Sequence, residues 1–532
     1  MKNIINQTIR KVAIGLLILS TATSCVDLDL KPYDRISDIQ YWEKEDAAFL
    51  ALNTCYANLT NIYEILYSDA MTDNAYCKVQ AYNQAIGNGS YASDNPYVLS
   101  IWSTKYAGIR ACNILLDNID KVKGLSTELK NRYKSEAQVI RAFFYFELYS
   151  KFGDIPYFTT TISLEESQTI SRTAKSTIVE NLLTELNTII DNNYLPESYS
   201  GTDKGRVTRY AAMALKARML LFEGRYEEVK AVTANMLNKF TLFPSYEGLF
   251  YASNEGNSEI ILDVQYMLNT REHRVQYEFL PPSLGGYSQL APLQELVDSY
   301  IATDGKPITT SADYSASQPF QNRDPRLKAT IVYSGNSYLK ADGTSVVINT
   351  ARNSSPDGFG FSSDCSPTGY YFKKYWDKDH RESLNSGLNV ILIRYADVLL
   401  MHAEAAAETG TLDEATWNIT IKLLRQRAGF TKSEALNLPA VGNADLIEIV
   451  RRERRSELAF EGLRHKDIMR WEIAETVLNG YCHGLYTGDA IGTDNGFVRI
   501  ENRTFDKTKH YLMPIPRNER DLNSNLTQNL NW

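Results

Sequence analysis

The segment 451–471, RRERRSELAFEGLRHKDIMRW, places eight Arg, Lys and His residues in twenty-one positions of a chain whose formal net charge is -8. Clustered cations neutralise phosphate, so nucleic-acid binding is the first chemistry to test. On a helical wheel of 446–461, the stripe of Ile447, Val450 and Leu458 also carries Arg454 and Glu461. Glu453 and Glu457 flank it beside Leu446 and Phe460. A lone ion on an apolar face is costly, so Arg454 is expected to meet one of those carboxylates or an acid from a neighbouring helix. Arg451, Arg452 and Arg455 are expected to face outward, the first two at pairing distance from Glu448. Arg464, Asp467, Arg470 and Trp471 extend the inner set. The segment reads as a charge network the protein keeps for itself, and nucleic acid is not expected as a partner.

Other reactive patterns are weaker. HAEAAAE, with His402, Glu404 and Glu408, lacks the HExxH spacing that puts two imidazoles on one zinc, and His402 lies within an apolar helix. The DNG of 494–496 has no calcium-loop frame, because Ile491, Thr493 and Asn502 stand where oxygen ligands of the usual kind are required. DGFGFSS lacks a third glycine for a dinucleotide loop, and no GxSxG occurs. Glycoside hydrolysis needs only two carboxylates across a scissile bond, a pair that the 64 Asp and Glu neither reveal nor exclude. No metal, cofactor or catalytic residue is indicated. Tyrosine stands out instead, with 34 Tyr against 19 Phe. Its ring offers a flat apolar face and a hydroxyl at the edge, which matches the C–H faces and hydroxyl rims of sugars; the alternative is that most of these rings pack internally.

These rings need a scaffold. AAMALKARMLLFEGRYEEVKA from Ala211 and the segment from Ala396 match when slid by 186 positions, aligning Ala217 with Ala403, Gly224 with Gly410 and Glu228 with Glu414. Each reads as a helix with a small-residue face, a glycine turn and a second amphipathic helix, the pattern of a tetratricopeptide-like hairpin. Further helices are expected at 43–66, 103–121, 128–152 and 174–193. Two stretches, 69–100 and about 251–390, lose the helical period and are rich in Gly, Ser, Asn, Pro and Tyr. Long irregular segments in compact domains usually serve binding, so ligand contacts are expected there: Asp73, Asn74, Tyr76 and Tyr82 in the first, and Tyr277, Tyr287, Tyr371 and Trp376 in the second. Trp102 opens a helical motif and is expected in the core.

The amino terminus carries Lys2, Arg10 and Lys11, the apolar run Val12 to Leu19, and small residues ending at Cys25. That order is a secretory signal, too short to span a bilayer. Cys25 after small residues resembles a bacterial lipobox, although Ala22 stands where Leu is usual; lipidation of Cys25 is expected, and several acyl chains anchor stably. The expected organisation is a signal peptide at 1–24, a lipidated cysteine and tether at 25–42, and one unit at 43–532, divided into a helical part to 250, an irregular part to 390 and a second helical part. Cys55, Cys77, Cys112, Cys365 and Cys482 are widely spaced without a CxxC pair, which indicates neither a disulfide framework nor a zinc site and leaves one isolated disulfide open.

The order of motifs resembles the SusD/RagB family of nutrient-binding outer-membrane lipoproteins. The likeness runs from YWEKEDAAFLALNTCYANL through EAQVIRAFFYFELYSKFGDIPYF, DPRLKATIV, IRYADVLLMHAEAAAETG and LRQRAGF to the 451–471 segment and the ending YLMPIPRNERDLNSNLTQNLNW. One departure is the final QNLNW, where Leu530 and Asn531 replace the family's usual Pro-Gly before the last Trp. The resemblance implies a mainly α fold of about four tetratricopeptide-like helix pairs, with an irregular, partly β-hairpin region forming the binding face. It implies a surface-exposed glycan-binding protein without catalysis, partnered by a SusC-like TonB-dependent transporter. The alternatives are a glycoside hydrolase and a helical-repeat scaffold that binds only protein.

Overall fold

A computed structural model describes residues 41–44, 46–78, 82–378 and 384–532. The signal peptide, Cys25 and the tether up to residue 40 lie outside the described residues. The scaffold is mainly helical. Helix α1 (Ala47–Ala57) is followed by α2 (Pro96–Asn118), α3 (Thr127–Phe152), α4 (Lys175–Asp191), α5 (Arg209–Phe222) and α6 (Tyr226–Ala234). After the irregular region come α7 (Tyr395–Glu408), α8 (Ile421–Ala428), α9 (Asn443–Leu458) and α10 (Arg464–Arg470).

Local chemistry sets these boundaries. The expected helix 43–66 divides, because Asn61 is extended and its side chain accepts from the Glu64 N–H, capping a separate short helix, Ile62–Tyr67. Helix α2 starts earlier than its apolar period suggests: Asn95 caps it, and Pro96 takes the first turn, where a missing N–H costs nothing. In α4, Ile178, Leu182, Leu186 and Ile189 form the buried stripe.

The internal repeat appears as one turn built twice. Gly224 and Gly410 both adopt φ +68°, a left-handed conformation that suits glycine. Arg225 N bonds Leu220 O at 2.9 Å, and its counterpart Thr411 N bonds Ala406 O at 2.7 Å. The second hairpin differs in that its returning helix breaks at Thr420 into Glu414–Ile419 and α8. Helices then stack in series, α2 on α3, α4 on α5, α5 on α6, α6 on α7 and α7 on α9. One apolar core runs from Trp42 to Leu526 and includes Trp102.

The strands are short and scattered. β1 (Ala75–Cys77) pairs antiparallel with β3 (Leu290–Pro292), and β2 (Ile260–Val264) pairs with β4 (Val390–Arg394). Near the carboxyl end, β6 (Thr493–Asp494), β7 (Phe497–Arg503) and β5 (Gly480–Tyr486) form a three-stranded sheet. Cys55, Cys77, Cys112, Cys365 and Cys482 are all buried. Among the described residues no helix is long and apolar enough to cross a membrane.

The arginine-rich segment lies inside. Arg394 reaches Glu259 at 2.8 Å, Glu457 at 2.7 Å and Glu461 at 2.6 Å. Arg326 meets Glu453 at 2.7 Å and Glu457 at 2.9 Å. Burial alone would raise the Glu457 pKa, but Arg427, Arg394 and Arg326 outweigh it and hold the carboxyl well below its usual range. Arg454 finds its partners on neighbouring helices, Asp397 at 2.6 Å and Asp467 at 2.9 Å. Arg451 pairs with Glu448 at 3.4 Å and with Glu408 at 2.9 Å. Arg455 departs from expectation: it turns inward to Asp73 at 3.1 Å, because an acidic loop packs against that face of α9.

Candidate functional site

The two irregular stretches, far apart in sequence, meet through the β1–β3 pair, in which Ala75, Tyr76 and Cys77 face Pro292, Ala291 and Leu290. The ladder extends at both ends, with Leu293 N bonded to Asn74 O and Lys78 N to Gln289 O, each at 2.9 Å. Beneath it, Arg464 donates to both Asp73 oxygens at 2.8 and 2.9 Å, Arg455 donates to Asn74 Oδ1 at 2.9 Å, and Arg503 donates to Ala75 O at 3.0 Å. Burial pushes the Asp73 pKa up, yet Arg455 and Arg464 outweigh it and hold it at about 2.

This arrangement corrects the reading of Asp73 and Asn74 as ligand contacts. Both are buried, and Asn74 also donates to Asp69 Oδ1 at 2.7 Å, so they serve as the loop's anchor. Tyr76 is half-buried on β1, on the face opposite Cys77, near Glu501. Tyr82 opens a short helix, Tyr82–Asn88, and its side chain lies outside the described residues.

In the second stretch, the short helix Val275–Phe279 is followed by Pro281, Pro282 and two glycines. Gly285 has φ +80°, and a Cβ on Gly286 would stand 2.3 Å from Leu280 O, so only glycine permits this return. The chain comes back with Tyr287 N bonded to Tyr277 O at 3.2 Å and Gln289 N to Glu278 O at 2.6 Å. The rings of Tyr277 and Tyr287 meet at 4.7 Å and 66°, an edge-to-face pair. This pair forms a rib between two hollows.

The first hollow, about 690 Å³, is lined by the rings of Tyr63, Tyr67, Tyr97 and Tyr287, with Glu64, Asn83, Glu278 and Gln289 among its polar groups. Glu64, Asn83 and Glu278 are held, and Gln289 Oε1 has no hydrogen-bond partner among the described residues. Tyr67 donates to Glu278 Oε2 at 2.6 Å, Tyr63 accepts from Arg274 N at 2.8 Å, and Asn83 Nδ2 donates to Tyr67 O at 2.6 Å. The buried Lys105 fixes Glu64 at 2.7 Å. Burial raises the Glu278 pKa, which Tyr67's hydrogen bond partly offsets. Several preoriented rings with fixed acceptors and amides suit a polyol with flat C–H faces.

The second hollow, about 770 Å³, lies beyond the rib and is lined by Arg274, Tyr277, Lys340, Asp342, Lys378 and Leu384 among others. Tyr277 is 37% exposed, with the Arg274 guanidinium 4.6 Å from its ring centre. Tyr371 and Trp376 do not reach either hollow. Tyr371 is fully buried, its hydroxyl donating to Asp357 O at 2.8 Å, and Trp376 is buried with its Nε1 donating to Leu339 O at 2.7 Å. Both belong to an apolar cluster with Leu280, Tyr338 and Leu384 that supports the second hollow's floor, so their faces are covered by protein. His402 lies between α7 and α6, with its Nδ1 2.8 Å from Thr233 Oγ1.

Sequence reasoning missed Tyr63, Tyr67 and Tyr97. The first two stand four apart on one face of Ile62–Tyr67, a spacing that reads equally well as core. Tyr97 sits in the first turn of α2, just after the capping Asn95.

Residues 247–532 match the SusD family, and residues 28–221 match a family described as starch-binding associating with outer membrane. The SusD-like protein P25 of Formosa agariphila is 25% identical over 555 residues, covering 97% of this chain and 97% of its own length. A SusD-like carbohydrate-binding protein from Bacteroides fragilis superposes with a TM-score of 0.82 at 28% identity, covering 92% of this chain and all of its own. A laminarin-binding SusD-like protein shares the fold with a TM-score of 0.69 at 22% identity, over 92% of this chain and all of its own. With the match spanning more than half its length, this chain belongs to the SusD family.

Proposed function

We propose that this protein is a cell-surface, lipid-anchored glycan-binding protein that captures oligo- or polysaccharide in the first hollow and delivers it to a TonB-dependent outer-membrane transporter. The observation that carries the reading is the set of four tyrosine rings around a hollow of about 690 Å³ whose acceptors Glu64 and Glu278 are already oriented. Preorganisation matters because ordering side chains on binding would otherwise subtract from affinity. The carbohydrate binding of the B. fragilis relative, at 28% identity, supports the same class of ligand here. Acylation of Cys25 would confine the protein to the membrane plane and raise its effective concentration at the transporter.

Glu64 and Glu278 share the hollow, so a hydrolytic reading has a specific pair to be tested against. Glu64 is tied to Lys105 and Glu278 to the Tyr67 hydroxyl, which favours both as fixed acceptors rather than as an acid and a nucleophile. The test is a glycan array on the chain from residue 26 onward, repeated with Tyr287→Ala and followed by a reducing-end assay on any glycan bound. Binding that weakens in the variant, with no reducing ends released, is the expected result. Released ends would establish a hydrolase, and a silent array would leave a protein-binding scaffold.

A further inference from the structure

The hollows differ in charge. The first carries Glu64 and Glu278 and no cationic side chain. Three others balance cations against carboxylates: Arg110 with Glu519, Lys134 with Glu185, and Lys151 and Lys466 with Glu64 and Glu147. Among its described lining residues the second hollow sets Arg274 and Lys340 against Asp342, with Lys378, which has a partner of its own, at the edge, on a chain of formal net charge -8.

Arg274 and Lys340 are placed for a ligand. Lys340 is exposed at the end of the hairpin formed by Ser337–Leu339 and Ser345–Val347, and its backbone closes the turn with Thr344 O at 2.8 Å. Asp342, the opposing carboxylate among the described lining residues, is engaged in that turn, accepting from Thr344 N at 2.9 Å and from Thr344 Oγ1 at 2.6 Å. Arg274 approaches from the other rim. Its guanidinium lies over Tyr277 and forms no ion pair, and Lys340 likewise forms none, among the described residues. A guanidinium held on a ring has less freedom to lose when it meets a planar or tetrahedral anion.

We propose that the second hollow is a subsite for an anionic substituent, a sulfate ester or a uronic carboxylate, on a glycan whose uncharged rings occupy the first hollow. The proposal rests on the reading of the first hollow as a glycan site. It also fixes an orientation: the first hollow offers an anion no cationic side chain, and Arg274 and Lys340 across the Tyr277–Tyr287 rib attract it, so the charged residue of the ligand lies on the Lys340 side. The ligand class is therefore an acidic polysaccharide.

The test is titration calorimetry of the chain from residue 26 onward against matched pairs on one backbone: sulfated polysaccharides with their desulfated forms, and polyuronates with their carboxyl-reduced forms. The charged member of a pair should bind about tenfold tighter at low salt, as expected for several partly screened charges acting together. The preference should vanish near 1 M salt, where the screening length is about 3 Å. Lys340→Gln should cut the preference about two- to fivefold, and adding Arg274→Gln should cut it further. The sulfate and uronate arms decide which anion is read. Tyr287-dependent binding that is equal for charged and neutral members, indifferent to salt and to Lys340→Gln, would overturn the anionic subsite while leaving the glycan site standing. If no polysaccharide of either kind binds, the glycan reading fails and the subsite with it.

Discussion

Glu457 is enclosed by Arg326, Arg394 and Arg427, whereas Tyr287 gives one side of its ring to Tyr277 and leaves the other to an open hollow. The two regions hold the most conspicuous chemistry of the chain and use it in opposite ways. In the inner network the opposing charges are matched across α9, β4 and the segments beside them, so nothing is left over for a ligand. In the hollow the carboxylates are oriented while the rings of Tyr63, Tyr67, Tyr97 and Tyr287 stay partly exposed. A conspicuous cluster of charge therefore marks rigidity here, and function falls to the less saturated aromatic surface. The two are joined mechanically, because Arg455 and Arg464 of the network hold Asp73, and Asp73 precedes the strand that carries Cys77 into the hollow.

The sharpest way to break this comparison is to remove one member of the network. Glu457→Ala leaves three buried guanidiniums short of a partner and should cost about 3–5 kcal/mol, measured by chemical denaturation. Tyr371→Ala should cost a similar amount, about 3–5 kcal/mol, because the ring is part of a closed cluster. A loss below about 1 kcal/mol in both would mean that the interior relaxes around them, and the contrast with the hollow would collapse.

Asp73 tests the joint between the regions. Its carboxyl sits at about 2 in the folded protein against an ordinary 3.8. A depressed carboxylate stabilises the fold above its unfolded value, and that contribution is lost as pH falls from about 4 through about 2. It amounts to about 2 kcal/mol, and Asp73→Asn should remove it and flatten the acid limb of the stability curve. Because the anchored loop carries β1, the variant should also weaken glycan binding. A direct ligand contact would instead lose affinity with stability intact.

The scaffold was legible wherever the signal is local and periodic. The offset of 186 residues found the two glycine turns, and apolar periods found α3 and α4 nearly to the residue. The charged stripe was legible as a network but its wiring was not, since Arg454 chooses Asp397 and Asp467 from other helices and Arg455 turns to a loop. The tyrosines were the least legible. Irregular backbone has no period to separate inward from outward rings, so Tyr287 and Tyr371 look alike in sequence and end on opposite sides of the surface. Tyr63 and Tyr67 were hidden for the converse reason, a helical spacing that normally marks a core.

Tyr287→Ala sharpens the functional side. Loss of a platform ring should weaken binding about tenfold, equivalent to about 1.4 kcal/mol, with the melting temperature nearly unchanged. A large fall in melting temperature would place Tyr287 with Tyr371 as a structural ring. Tyr287→Phe should keep most of the affinity if the face, rather than the hydroxyl, carries it.

The smallest expected effect lies at His483, which bridges the carboxyl-terminal sheet to the helix Gln294–Ser299 just beyond β3. Its Nδ1 is 2.7 Å from Glu295 and its Nε2 is 3.0 Å from Asp494, which Arg499 also holds. Only the imidazolium can donate to both carboxylates, and the bonds to Glu295 and then Asp494 raise its pKa above the usual 6.5 despite partial burial. A raised histidine stabilises fully below the unfolded value of about 6.5, and the contribution disappears as pH climbs through the higher folded value. Solvent screening keeps it below about 1 kcal/mol. Denaturation between pH 6 and pH 9 should show this decline in the native chain and not in His483→Gln. Glycan affinity over the same range should stay level in both, because β3 is held independently by β1 and by Asn74. If affinity instead fell in step with stability, the sheet would be coupled to the hollow, and the division between a rigid charged interior and a separately built aromatic site would have to be redrawn around His483.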